Sequence, residues 1–212
     1  MLKLETLNEV LAERLTNPGE ILDVLVTALA KGQHPAAEWN ALHAAARRDQ
    51  AQQELASAYE NALAGRRIKL VSPANQAEAY LHAAEFVADQ LDDVEAAIGY
   101  AERALGAVPS HEAAFAALER LLRKKGDMAR LARAYVDFAG GERDRERQLA
   151  QLRLAADLLG GQEGIDEIAI EVYQRILRVE PTDAASLAAL TARYAATGKH
   201  RESARLLEQA LG

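Results

Sequence analysis

Four of the five prolines, Pro35, Pro73, Pro109 and Pro181, are separated by 38, 36 and 72 residues, the last gap being twice 36. A period in the thirties marks stacked supersecondary units, because one such unit cannot bury its apolar face alone. Other positions keep the same step: His82, Leu118, Leu154 and Leu190 lie 36 apart, as do Phe86, Leu122, Leu158 and Tyr194. The phase is therefore expected to run through Arg145, where no proline stands. Within each unit two amphipathic stretches flank a turn signal, as at Gly126-Asp127 and Gly198-Lys199, with Asp127 suited to cap the second helix.

Composition makes both stretches helical. Of 212 residues 46 are Ala and 30 are Leu, side chains that lose little rotamer freedom in a helix. Ile21, Leu22, Leu25, Val26 and Leu29 follow helical spacing rather than strict alternation. Starts are signalled by Asn17-Pro18-Gly19-Glu20, by Ser110, by Thr182 or Asp183, and by Asp92 or Asp93. The reading is a single domain of six helix-turn-helix units, 1–34, 35–72, 73–108, 109–144, 145–180 and 181–212, with twelve helices. Only Ile68 to Val71 has any strand character, and that RRIKLV stretch is expected to extend a helix or lengthen a loop.

Charge and chemistry narrow the function. With 25 Lys+Arg against 32 Asp+Glu, the net charge of −7 argues against general nucleic-acid binding. Zero cysteine removes disulfides, thiolate nucleophiles and Cys-based metal sites. Charges interrupt MLKLETLNEVLAERL where a signal peptide needs an apolar run, and no stretch reaches the ~20 apolar residues of a bilayer span, so a cytoplasmic protein without a membrane partner is expected. Arg outnumbers Lys 19 to 6, which with the Ala excess suggests a GC-rich bacterial genome.

Val94 to Pro109 (VEAAIGYAERALGAVP) and Glu167 to Asp183 (EIAIEVYQRILRVEPTD) resemble the second helix of a tetratricopeptide repeat. The spacings Leu118, Leu122, Gly126 and Leu190, Tyr194, Gly198 are similar to that family's first helix, and Ala97, Ala104 and Ala169 fall where its helices approach closely. The resemblance implies an all-α, right-handed α-solenoid, and is strong from about residue 73 onward. The family's unit is two residues shorter, so each unit here must absorb the excess in a loop or an added fraction of a turn. The 38-residue second unit fits the phase at Trp39 and Leu42 only when counted from one residue after Pro35.

Signs of chemistry are few. Glu78, His82 and Glu85 share a helix face and could supply metal ligands, but His82 holds the slot of Leu118, Leu154 and Leu190 and is expected in or near the core. His34, His43, His111 and His200 are expected at helix starts, turns or exposed faces. Neither a GxSxG elbow nor an HExxH pair occurs, and Gly140-Gly141 and Gly160 to Gly164 read as turns, so no enzyme, cofactor or metal is expected.

The family resemblance implies a concave groove lined by first helices. Carried over, it points to Asn40, Arg47 and Arg48, to Tyr80 and Val87, and to Arg120, Arg123 and Lys124 as partner-binding residues. The paired basic residues favour an acidic segment through charge-assisted hydrogen bonds. Only Asn40 matches the family's carboxylate clamp, since Ala44, Ala84 and Ala116 hold neighbouring groove positions. Ala185, Ala188, Ala192, Ala195 and Ala196 form a smooth wall opposite Leu187, Leu190 and Tyr194. The last helix, with Ala204, Leu207, Ala210 and Leu211 on one stripe and no further capping helix, is expected to pack on a second copy, a partner or further repeats. The expected function is a protein-binding scaffold, the alternative an oligomerisation or regulatory module of a larger protein. RNA-reading pentatricopeptide repeats share nearly this period but need recurrent polar pairs and a basic groove, where this chain places Ala, Tyr and Leu.

Overall fold

Short polar side chains ahead of the apolar runs start half of the helices. The computed structural model describes residues 3–159 and 165–211, the last three by backbone alone. Asn17 accepts the Glu20 amide ahead of Pro18, and Ser72 accepts the Asn75 amide ahead of Pro73. Asp93, Asp127, Asp144 and Asp183 each accept the amide three residues on. The cap expected at Ser110 is instead His111, whose Nδ1 accepts the Ala114 amide at 3.1 Å because the helix begins at Glu112. Gly126 and Gly198 turn the chain between helices at φ +78° and +70°, a conformation that disfavours a side chain.

Among the described residues these signals yield twelve α-helices and no strand. They are α1 Leu7–Glu13, α2 Pro18–Ala30, α3 Ala36–Arg48, α4 Gln52–Ala64, α5 Pro73–Gln90, α6 Val94–Ala107, α7 Glu112–Lys125, α8 Met128–Gly141, α9 Arg145–Leu158, α10 Asp166–Val179, α11 Ala184–Ala196 and α12 His200–Leu211. The architecture is an all-α repeat of helical hairpins of the solenoid class. The RRIKLV stretch is loop, with a 3₁₀ turn at Ile68–Leu70 that buries Ile68 and Val71 and leaves Leu70 exposed. The Gly160 to Gly164 turn lies outside the described residues.

The helices form two compact blocks, Met1–Lys124 and Lys125–Gly212. In the first, α5 packs on α6 with Ala77 and Ala104 in one core cluster, and Ala97 is fully buried on α6 as well, in keeping with the close approach expected at Ala97 and Ala104. Leu22, Leu25 and Leu29 of α2 are buried where that helix packs on α4 and α5. Asn75, buried on α5, donates from its side-chain amide to the Leu29 carbonyl at 2.9 Å, so this helix-end acceptor, which also takes the Gly32 amide at 3.0 Å, ties the end of α2 to α5.

In the second block α8 to α12 pack in succession from α8 on α9 to α11 on α12, and Ile170, Leu190 and Tyr194 form a core with Tyr173, Leu177 and Leu206 against it. The 36-residue phase fails in α9. Capped by Asp144, this helix begins three residues earlier than the step from Glu112 predicts, and it buries Leu149, Leu152 and Ala155. Leu154, expected in the core with Leu118 and Leu190, is 44% exposed while those two are buried. Of the alanine wall expected on α11, Ala185, Ala188, Ala192, Ala195 and Ala196 are exposed, while of the three core residues expected opposite it Leu190 and Tyr194 are buried and Leu187 is half-buried. Of the stripe expected on α12, Ala204 is exposed and Leu207 is 45% exposed, whereas the side chains of Ala210 and Leu211 lie outside the described residues.

Asp183 is the most heavily used cap. Its Oδ1 accepts the Ser186 amide at 2.7 Å while Oδ2 accepts from Arg153 at 3.1 Å, and these partners hold its carboxyl below the usual range. Asp183→Ala is expected to destabilise the second block by about 1 kcal/mol in urea unfolding, and Asp183→Asn by much less, because asparagine keeps the capping acceptor.

Candidate functional site

Three first helices of successive hairpins lie together in the first block. Arg47 of α3 donates from Nε to Gln90 Oε1 of α5 at 3.1 Å, and Arg120 of α7 pairs with Asp89 of α5 at 3.8 Å. Between α3 and α5 opens a cleft of about 330 Å³ lined by Asn40, His43 and Arg47 on one side and Glu85, Asp89 and Gln90 on the other. Lys124, at the end of α7, pairs with Asp92 just past the end of α5, which holds the Asp92 carboxyl below its usual range. The face therefore alternates in charge: basic on α3, acidic on α5 and basic on α7.

An aromatic cluster lies beneath the cleft. Trp39, 1% exposed, stacks on His82 at a centroid distance of 5.0 Å and on Tyr59 at 5.9 Å. The His43 ring lies 4.9 Å from Phe86, and its Nε2 is 2.7 Å from the buried Tyr59 hydroxyl. His43 is thus a core-facing residue, not the turn or exposed-face residue that its sequence position suggests. Burial first, then the neighbouring His82 and Arg47, push its pKa down to about 4. Burial also lowers His82, opposed by Glu78, and raises Tyr59 well above its ordinary value. Glu85 is raised first by burial, then by Asp89, with Arg120 opposing.

His82 is engaged by the Trp39 stack, and Glu78 pairs with His34 at 3.5 Å. Among the described residues no group of three or more His, Asp or Glu could hold a metal, and no helix is long and apolar enough to cross a membrane.

The structure brings together Asn40, Arg47, Arg120 and Lys124 around the acidic side of α5. Arg123 pairs with Glu119 one turn back on α7 at 2.9 Å. Arg48 faces elsewhere: it grips Asp49 through two hydrogen bonds of 2.8 Å and donates to the Ala12 carbonyl, while Asp49 also accepts the Leu15 amide at 2.7 Å. This array anchors the segment after α1 to the end of α3. Tyr80 donates its hydroxyl to the Leu63 carbonyl at 3.3 Å and packs on Ala77, Ala104 and Ala114. Val87 and Ala84, expected along the groove, are buried, whereas Ala44 and Ala116 are exposed. Sequence reasoning considered Glu85 only as a metal ligand and missed Asp89 and Gln90 altogether. Their spacing on the exposed stripe of α5 is the signal that could have found them.

No family model matches the chain, and neither does any curated protein. Solved structures give a likeness in fold. BtubC (BKLC) from P. vanneervenii is 15% identical with a TM-score of 0.43, over 98% of this chain and 89% of that one. MamA protein is 13% identical with a TM-score of 0.39, over 91% of each chain. A Podosopora anserina putative kinesin light chain with nearly identical TPR-like repeats is 17% identical with a TM-score of 0.35, over 92% of this chain and 95% of that one. The hairpins themselves, with their helix order, caps and alanine contacts, define the class: a TPR-like helical-repeat protein.

Proposed function

We propose that this protein is a non-enzymatic scaffold that holds a partner protein or peptide on the face formed by α3, α5 and α7. The observation that supports this reading is the cleft at Asn40, Arg47 and Asp89, where exposed polar side chains from neighbouring helices converge above a closely packed aromatic floor. Such a floor keeps the wall in place, so little ordering entropy is spent on binding.

The segment held there is read as acidic. Arg120 and Lys124 are tied by exposed ion pairs that solvent and salt screen, so a partner's carboxylates can replace Asp89 and Asp92 at little cost. The bound chain would then exchange one set of charge-assisted contacts for another and gain the apolar contacts along Ala44 and Ala116.

The test is capture of partners from a lysate of the source organism by the wild-type chain and by Arg120→Glu with Arg123→Glu, with the retained proteins identified by mass spectrometry. A partner retained by the wild type and lost from the charge-reversed protein, with unchanged circular dichroism, is the expected result. A partner held equally by both would remove the groove from the account. Recovery of the protein alone would favour the second reading, an oligomerisation or regulatory module that self-associates through α12, which the exposure of Leu207 supports.

A further inference from the structure

The second block contains a different arrangement of charge. Arg178, near the C-terminal end of α10, lines two clefts at once. One, of about 200 Å³, has an apolar wall from Val136 and Ala139 of α8, Leu152 of α9 and Val179 of α10, with Arg175 beside them. The other, of about 480 Å³, is floored by Leu177, Leu190 and Leu206 and edged by Arg205 and Glu202.

The cations here are under-used. Arg175 bonds Glu171 at 2.9 Å and reaches the Val136 carbonyl at 3.5 Å, yet its Nε is buried without an acceptor. Among the described residues Arg178 and Arg205 make no ion pair, and Glu202 is the carboxylate set against them in the larger cleft. In the first block, by contrast, Arg47, Arg120 and Lys124 all have partners. An exposed guanidinium between two apolar hollows is matched by an anion flanked by apolar groups. A lone phosphate would leave both hollows empty, and a polyanion would be repelled by the net charge of −7.

We propose that α10 carries a second binding surface, for an extended peptide of a partner protein in which one carboxylate side chain meets Arg178 and an aliphatic side chain two residues to either side enters each cleft. Alternate side chains of an extended peptide point to one face about 7 Å apart, the spacing that sets a carboxylate between two anchors. The guanidinium fork recognises the carboxylate by charge-assisted hydrogen bonds. This goes beyond the α3–α5–α7 reading and fails independently of it.

The probe is a fluorescein-labelled nonapeptide with Leu-Ser-Glu-Ser-Leu at its centre, titrated with the full chain and followed by anisotropy. Saturable binding is expected, with at least a tenfold loss when the peptide Glu becomes Gln or when Arg178 becomes Ala. Arg178→Lys should restore part of the affinity, and Arg120→Glu with Arg123→Glu should leave it unchanged. Since Arg178 is exposed, its variants should keep the wild-type circular dichroism. Equal affinity for the Glu and Gln peptides, indifference to Arg178→Ala, or no binding at millimolar peptide would overturn the proposal. Dimerisation in sedimentation that disappears in Arg178→Ala would overturn it too, by giving the surface to a second copy of the chain.

Discussion

Replacing Trp39 with alanine is expected to destabilise the first block by about 4 kcal/mol, in the range for truncating a fully buried aromatic residue. The ring is 1% exposed and stacks on Tyr59 of α4 and His82 of α5, so one side chain from α3 ties three helices. Truncation would leave a cavity whose walls belong to different hairpins, and collapse into it is opposed by the His43–Tyr59 hydrogen bond. Urea unfolding of wild type and variant, followed by far-ultraviolet circular dichroism, measures the effect. Trp39→Phe should recover a large part of it. A loss below about 1 kcal/mol would mean that the cluster does not hold these helices together.

Acidification is expected to weaken the same region. His43 has a pKa of about 4 in the folded chain against 6.5 for the free side chain. Above pH 6.5 both states are neutral at this position and the native state has its full stability. Between 6.5 and 4 the unfolded chain takes up a proton that the folded one does not, so stability falls with pH. By pH 4.5 the loss from His43 alone is on the order of 2 kcal/mol. His82, lowered in the same direction, adds to it. Arg47 and His82 oppose a charge on His43, and Glu78, which favours the charged form of His82, only partly offsets its burial. Asp49 acts at lower pH: its carboxyl is held well below the usual range by Arg48 and the Leu15 amide, so its contribution persists until the carboxylates themselves protonate.

Trp39 is the only tryptophan, so its fluorescence reports unfolding of this block across a series from pH 7.5 to 4.5. His43→Gln, which can still meet the Tyr59 hydroxyl, should flatten the decline between pH 6.5 and 4.5 by close to one proton. An unchanged slope in that variant would show that His43 does not carry the effect.

Local features were legible without coordinates. Proline spacing marked the hairpins, 3.6-residue periodicity marked the helices, and Asn17, Asp127, the Asp92-Asp93 pair and the Thr182-Asp183 pair marked where helices begin, the structure choosing Asp93 and Asp183. A cap acts on an amide three residues away, and an apolar stripe needs only its own helix to be recognised. Even Ala97 and Ala104, as points of close approach, follow from side-chain size at a repeated position.

Tertiary structure decided whatever depends on a partner far along the chain. That Arg47 meets Gln90 and Lys124 meets Asp92 is set by which helices become neighbours, across separations of 43 and 32 residues. Arg48, beside Arg47 in sequence, turns the other way because a helix rotates successive side chains by about 100° and Asp49 and the Ala12 carbonyl lie on that side. His43 gained its place among Trp39, Tyr59, His82 and Phe86 only when three helices packed. The slip in α9 has the same origin: the helices packed against it, not the repeat count, decide which face is buried, so Leu149, Leu152 and Leu159 are covered and Leu154 is exposed. Sequence therefore determined the hairpins and their helices, because those are local energies. Packing determined which charges are spoken for and which remain open, because an ion pair exists only where two distant segments meet.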